Sequence, residues 1–201
     1  MKKKALSFLL AAISAFSLVL PAFATTDTTE ATVYIVDEKI RNADIQRQFD
    51  EYITELSRET STLRSDYEYD YTTERFSSKF ETRGGYAGNQ PAGGVKFDEP
   101  GGDIFWVPEG GPVLDMSVSL SAPFESVTVS VDLGLRTIGA TGYSQKVIDC
   151  SHRVKLWVNK TIEVQPVVTY RTNRNTGVKE VYKKTILSTD YSYELEVRIV
   201  G

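Results

Sequence analysis

Residues 117–133 read Ser-Val-Ser-Leu-Ser-Ala-Pro-Phe-Glu-Ser-Val-Thr-Val-Ser-Val-Asp-Leu. Val118, Leu120, Ala122 and Phe124 alternate with small polar residues; after a change of parity, Val127, Val129, Val131 and Leu133 alternate with Thr128, Ser130 and Asp132. Successive side chains of a strand point to opposite faces, so the pattern describes antiparallel strands with one face buried and one wet. The parity change predicts a bend or turn from Pro123 to Ser126.

The same period continues toward the carboxy terminus. Ile148, Cys150, His152, Val154, Leu156 and Val158 fall on one face of an expected strand, with Asp149, Ser151, Arg153, Lys155 and Trp157 on the other. Asn159 and Lys160 are expected to turn the chain into Ile162, Val164, Pro166, Val168 and Tyr170. Asn173 to Gly177 reads as a loop before a strand from Val178 to Leu187, and a last strand turns Tyr191, Tyr193, Leu195, Val197 and Ile199 inward. Several strands at hairpin spacing predict a β-sandwich of jelly-roll or immunoglobulin-like kind over 113–201. The Cys, Trp, Cys signature of true immunoglobulin domains is absent, since Cys150 is the only cysteine.

Upstream, residues 84–112 hold 9 of the 14 glycines and 4 of the 7 prolines. Their Gly-Gly pairs lack the further glycine and aspartate of a calcium-binding nonapeptide roll, so the segment reads as turns, with Pro100 and Gly101 suited to a type II turn. Asp98, Glu99 and Asp103 are weak calcium candidates, as clustered hard oxygen ligands. Residues 25–83 form an acidic helical segment. Ile45, Phe49, Tyr52, Leu56 and Leu63 recur at helical spacing after Asp37, a suitable N-cap, and such a stripe more often covers a sheet than forms a coiled coil. Tyr67, Tyr69 and Tyr71 alternate with acids, as in an edge strand. The expected class is α+β: an amino-terminal amphipathic helix packed on a carboxy-terminal antiparallel sandwich, with 25–201 forming one domain.

Residues 1–24 carry Lys2, Lys3 and Lys4, an apolar run to Leu20, Pro21 and the triplet Ala22, Phe23, Ala24. These are the parts of a cleaved secretory signal peptide, so a secreted or cell-envelope exterior location is expected, with no stable membrane anchor after cleavage. The charge is uneven. Residues 25–82 carry a net −7, 83–132 a net −5 and 133–201 a net +5. The acidic front is expected either to pack against the basic back or to leave that end for an anionic partner. Nucleic acid is not an expected partner of so acidic a chain.

His152 is the only histidine, so any imidazole chemistry passes through it. A Cys150–His152 nucleophile pair is conceivable on one strand face, but that face is otherwise apolar and reads as core. The chain has no Gly-x-Ser-x-Gly elbow and no phosphate-binding glycine loop, and two soft or imidazole ligands are too few for structural zinc. No cofactor is expected. The binding candidates are Trp157 with Arg153 and Lys155, as a sugar-stacking face unless the helical front segment covers it and makes Trp157 second-layer core, and Arg171, Arg174, Lys179, Lys183 and Lys184, as a basic cluster for an anionic envelope polymer or simply a solvated face. The reading is an exported, non-catalytic binding or structural protein that contacts cell-wall glycan or such a polymer. A secreted carboxylate-dependent hydrolase is its first rival, since paired carboxylates can be distant in sequence. A membrane-active protein is the second, because the 117–133 alternation resembles a pore-forming hairpin but is short for a membrane strand.

Overall fold

The computed structural model describes residues 30–62 and 68–200. The signal-peptide reading, Leu63 and Tyr67 lie outside them. In chain order the elements are β1 (Thr32–Ile35), α1 (Glu38–Thr62), β2 (Tyr69–Arg75), β3 (Lys79–Tyr86), β4 (Gly102–Val107), β5 (Val113–Ser119), β6 (Ser126–Asp132), β7 (Leu135–Thr137), β8 (Tyr143–Val147), β9 (Val154–Asn173) and β10 (Lys179–Ile199). The described residues are therefore mostly antiparallel β with one helix, an α+β arrangement of sandwich-like character.

The two long strands β9 and β10 are the spine. They pair along almost their whole length around the loop 174–178, whose start is held by Asn173 Oδ1, which accepts the N–H groups of Asn175 and Thr176. β1 pairs with β10, whereas β2 and β3 pair with successive stretches of β9. A three-stranded sheet in the order β7-β4-β8 and the β5–β6 hairpin complete the set.

Strand parity distributes the core. Val154, Leu156 and Val158 of β9 pack with Ile104, Trp106 and Val147, while Ile162, Val164 and Val168 pack with Met116, Val118, Val131 and Leu133. The other face of the spine receives the helix, where Ile45, Tyr52 and Leu56 meet Val167 and Leu187. Asp37 caps that helix: its Oδ1 accepts the Lys39 N–H at 2.8 Å, which satisfies an amide the helix cannot.

Three expectations of local structure are corrected. The strand expected from Ile148 starts at Val154, because the Asp149 carboxylate accepts the N–H groups of Ser151 and His152 at 2.7 and 3.2 Å and draws the chain into a loop. Ile148 is then 61% exposed, and His152 lies at the surface instead of on a core face beside Cys150.

No turn forms at Asn159 and Lys160, since β10 opposes both residues and each side chain finds partners from within a pleated strand. The two strands expected after Gly177 are one, with register shifts between Val181 and Lys183 and between Asp190 and Ser192. A bulge inserts one residue, and one residue reverses side-chain direction. Tyr191 accordingly leaves the interior and packs its ring 4.7 Å from Phe80, with the Arg41 guanidinium 4.5 Å from its centroid. Ile199, also expected inward, is exposed at the strand end.

Candidate functional site

Beyond the reach of α1, the outer face of the five-stranded sheet stays open. Its floor follows from the registers. Thr82 of β3 lies opposite Thr161 of β9, and Thr161 opposite Ser192 of β10. One pleat further on, Gly84, Asn159, Glu194 and Val33 form a row across β3, β9, β10 and β1. The floor is polar and internally bonded: Thr82 and Thr161 hydroxyls are 2.8 Å apart, and Asn159 Nδ2 donates to Glu194 Oε2 at 2.8 Å.

Aromatic side chains stand at both ends of this floor. At one end Tyr86 and Trp157 meet edge to face at 5.1 Å, with Lys155 over the Tyr86 ring and Arg198 stacked 3.8 Å from the Trp157 centroid. At the other, Phe80 packs on Tyr191. Phe80 is 53% and Tyr86 39% exposed, and Val33 and Ile35 on the edge strand are more open still. Phe80 and Tyr86 are six residue steps apart on β3, which at ~3.4 Å per residue is about 20 Å.

Gly84 makes the arrangement possible. A Cβ there would fall 2.3 Å from Asn159 Oδ1 and 3.0 Å from two atoms of the Trp157 indole, so only glycine lets both side chains lie against β3. Trp157 Nε1 in turn donates to Asn159 Oδ1 at 2.8 Å.

The sequence-predicted residues divide. Trp157 and Lys155 lie on this face as their parity requires, although one face of the indole is occupied by Arg198. Arg153 precedes the strand and donates to the Gly94 carbonyl at 3.2 Å. The basic residues gather at the hairpin end, and their partners are largely acids of the front half of the chain: Lys183 with Glu59 at 2.9 Å, Arg174 with Asp70 at 2.7 Å and Lys179 with Glu74 at 2.9 Å. Arg171 pairs with Glu180 at 2.6 Å, and Lys184 donates to the Pro123 carbonyl. Hydrogen bonding to Glu180 holds the Arg171 guanidinium above its ordinary pKa.

Among the described residues, no group of three or more His, Cys, Asp or Glu side chains could hold a metal ion, so Asp98, Glu99 and Asp103 do not converge. His152 Nδ1 and Asp149 Oδ2 are 2.7 Å apart at the surface. The His152 hydrogen bond, with help from the Ser151 N–H, keeps the Asp149 carboxyl below the usual range. Phe80, Thr82, Gly84 and Tyr86 escaped the sequence reading because the glycines beside them signal turns. Their alternation with Glu81, Arg83 and Gly85 was the available strand signal.

The fold and this face describe an α+β, predominantly antiparallel protein with an exposed polar sheet face flanked by aromatic rings. No protein-family model matches the chain, and no match to it was found among curated proteins or solved structures.

Proposed function

We propose that the protein is an exported, non-catalytic binding module of the cell envelope or exterior, and that the open sheet face holds a glycan. The supporting observation is the sheet face itself: a strip of hydroxyl, amide and carboxylate groups between exposed aromatic residues about 20 Å apart along the strand. Sugars offer hydroxyls to such a strip and C–H faces to such aromatic residues, and several sugar rings fit end to end in that length. On this reading the framework is a sandwich of jelly-roll or immunoglobulin-like kind, with the small sheets on one side of the spine and the helix on part of the other. The uncharged polymer is preferred to an anionic one because Arg171, Arg174, Lys179 and Lys183 of the basic cluster are already paired with acids of the same chain.

The test is sedimentation with isolated cell wall and with insoluble polysaccharides, followed by titration of soluble fragments against Trp157 fluorescence. Tyr86→Ala and Phe80→Ala are each expected to weaken binding roughly three- to tenfold with the circular dichroism spectrum unchanged. Wild-type protein that leaves every glycan preparation in the supernatant, or variants that bind as well as wild type, would refute the reading.

A further inference from the structure

The inward face of β9 carries one residue that does not belong in a core. Between Val158 and Ile162, both buried, stands Lys160, whose side chain is only 5% exposed. Its Nζ lies 2.9 Å from Asp190 Oδ2 and donates to the Pro108 carbonyl at 3.2 Å. The Tyr193 hydroxyl donates to the same Asp190 oxygen at 2.9 Å. Tyr193 is directly opposite Lys160 and Asp190 opposite Ile162, so an amine and a carboxyl are fixed side by side on adjacent strands. The Tyr193 ring touches Trp106 and Tyr143 at centroid distances of 5.0 Å each, which walls the amine from bulk water.

We propose that Lys160 and Asp190 are the partners of an intramolecular isopeptide bond that ties β9 to β10. The geometry supplies what condensation needs: a nucleophile and an electrophile held together, which replaces a bimolecular encounter by a local step.

The step balances without another reagent. One ammonium proton passes to the Asp190 carboxylate, leaving a free amine beside a carboxylic acid. The nitrogen lone pair attacks Asp190 Cγ, a C–N bond forms, and the carbonyl opens to a tetrahedral centre. A second nitrogen proton joins the departing hydroxyl, the Cγ–O bond breaks, and one water leaves by the side of Asp190 that is 30% exposed. Nothing is oxidised or reduced. The Tyr193 phenol, aimed at Oδ2, donates a hydrogen bond to that oxygen as it departs as hydroxide and takes up the second nitrogen proton, and the phenol is regenerated. Burial foremost, with Asp190 beside it, raises the pKa of that phenol, so it keeps its proton for this role.

The bond would close a loop from 160 to 190 and restrict the unfolded chain as a disulfide does, in a chain whose single cysteine can form none internally. It is independent of the glycan reading. The test is the intact mass of the full purified chain in denaturing solvent, with tryptic mapping.

The expected result is a chain lighter by one water than its sequence requires, uncleaved after Lys160, with one branched peptide joining the Lys160 and Asp190 segments. Lys160→Met and Asp190→Ala should each show their full sequence mass. Tyr193→Phe should form the bond roughly 10²-fold more slowly. A wild-type chain that keeps the full mass after prolonged incubation in the folded state, or a lost water mapped elsewhere, overturns the proposal and leaves an ordinary ion pair. An unchanged rate in Tyr193→Phe removes the phenol from the mechanism.

Discussion

Asp132 ends the alternation of β6, where the period-two pattern assigns it to the wet face, and there it acts as a clamp. Its Oδ1 accepts the N–H groups of Gly111 and Gly134 at 2.8 Å each, and its Oδ2 accepts that of Gly110 at 2.7 Å. The glycines are required for space as well as shape. Gly134 has φ +70°, and a Cβ on it would sit 2.2 Å from the Val107 carbonyl oxygen. Replacing Asp132 by Ala leaves three amides without their charged acceptor, so Asp132→Ala is expected to cost about 2–4 kcal/mol, read as a lower urea midpoint at unchanged slope. A midpoint within error of wild type would show that water serves these amides equally well. Gly-Gly at 110 and 111 announces a turn, but nothing in the order of residues announces which carboxylate closes it.

The helix illustrates what pattern conveys about an element. Ile45, Tyr52 and Leu56 are buried and Phe49 is partly so, as the spacing requires, and the face they meet, Val167 and Leu187, lies more than a hundred residues away in sequence. Tyr52 also spends its hydroxyl on Thr169, 2.6 Å away and buried. Near the other end of the helix, Glu59 accepts from Lys183 at 2.9 Å and from Tyr182 at 3.0 Å. The Lys183 hydrogen bond first, and then that of Tyr182, hold the Glu59 carboxyl below the usual glutamate range. A carboxylate lowered in the folded state lends stability above its unfolded pKa and loses it as pH falls through the folded value. The same bond raises Lys183, whose contribution is intact below its unfolded pKa and is lost as pH rises through the folded one. Glu59→Gln should therefore flatten the dependence of stability on pH below the ordinary glutamate range and at the alkaline end. Parallel curves for variant and wild type, measured by chemical denaturation across pH, would contradict the assignment. The bulges of β10 show the complement. They fall at Tyr182 and Tyr191, in runs with no glycine or proline to mark them, and only pairing against an unbroken β9 reveals them.

For the whole molecule, the uneven charge finds its counterpart within the chain. The front half, net −7 over residues 25–82, lends Glu59, Asp70 and Glu74 to Lys183, Arg174 and Lys179 of the back. Such exposed pairs contribute little singly, so the burden of stability falls on the packed strands. Both larger cores draw on β9, and the first also on β10, so the sheets are expected to unfold together. One cysteine permits no internal disulfide, and a single cooperative thermal transition is expected, unmoved by dithiothreitol or by EDTA. Two transitions, or a midpoint lowered by the chelator, would reveal a separately stable part or a metal contribution.

The sequence by itself determined the class: period-two apolarity makes pleated strands, period-3.6 apolarity with a capping aspartate makes a helix, and both are local consequences of backbone geometry. It also identified Trp157 and Lys155 as outward-facing. Only the tertiary structure decided that 148–153 leaves the sheet, that Asn159 and Lys160 continue a strand, and that Phe80 and Tyr86 share a face with Trp157. Those outcomes depend on register and on partners distant along the chain. A buried Lys160 is tolerable only where Asp190 and the Pro108 carbonyl meet it, and no local pattern can encode that meeting.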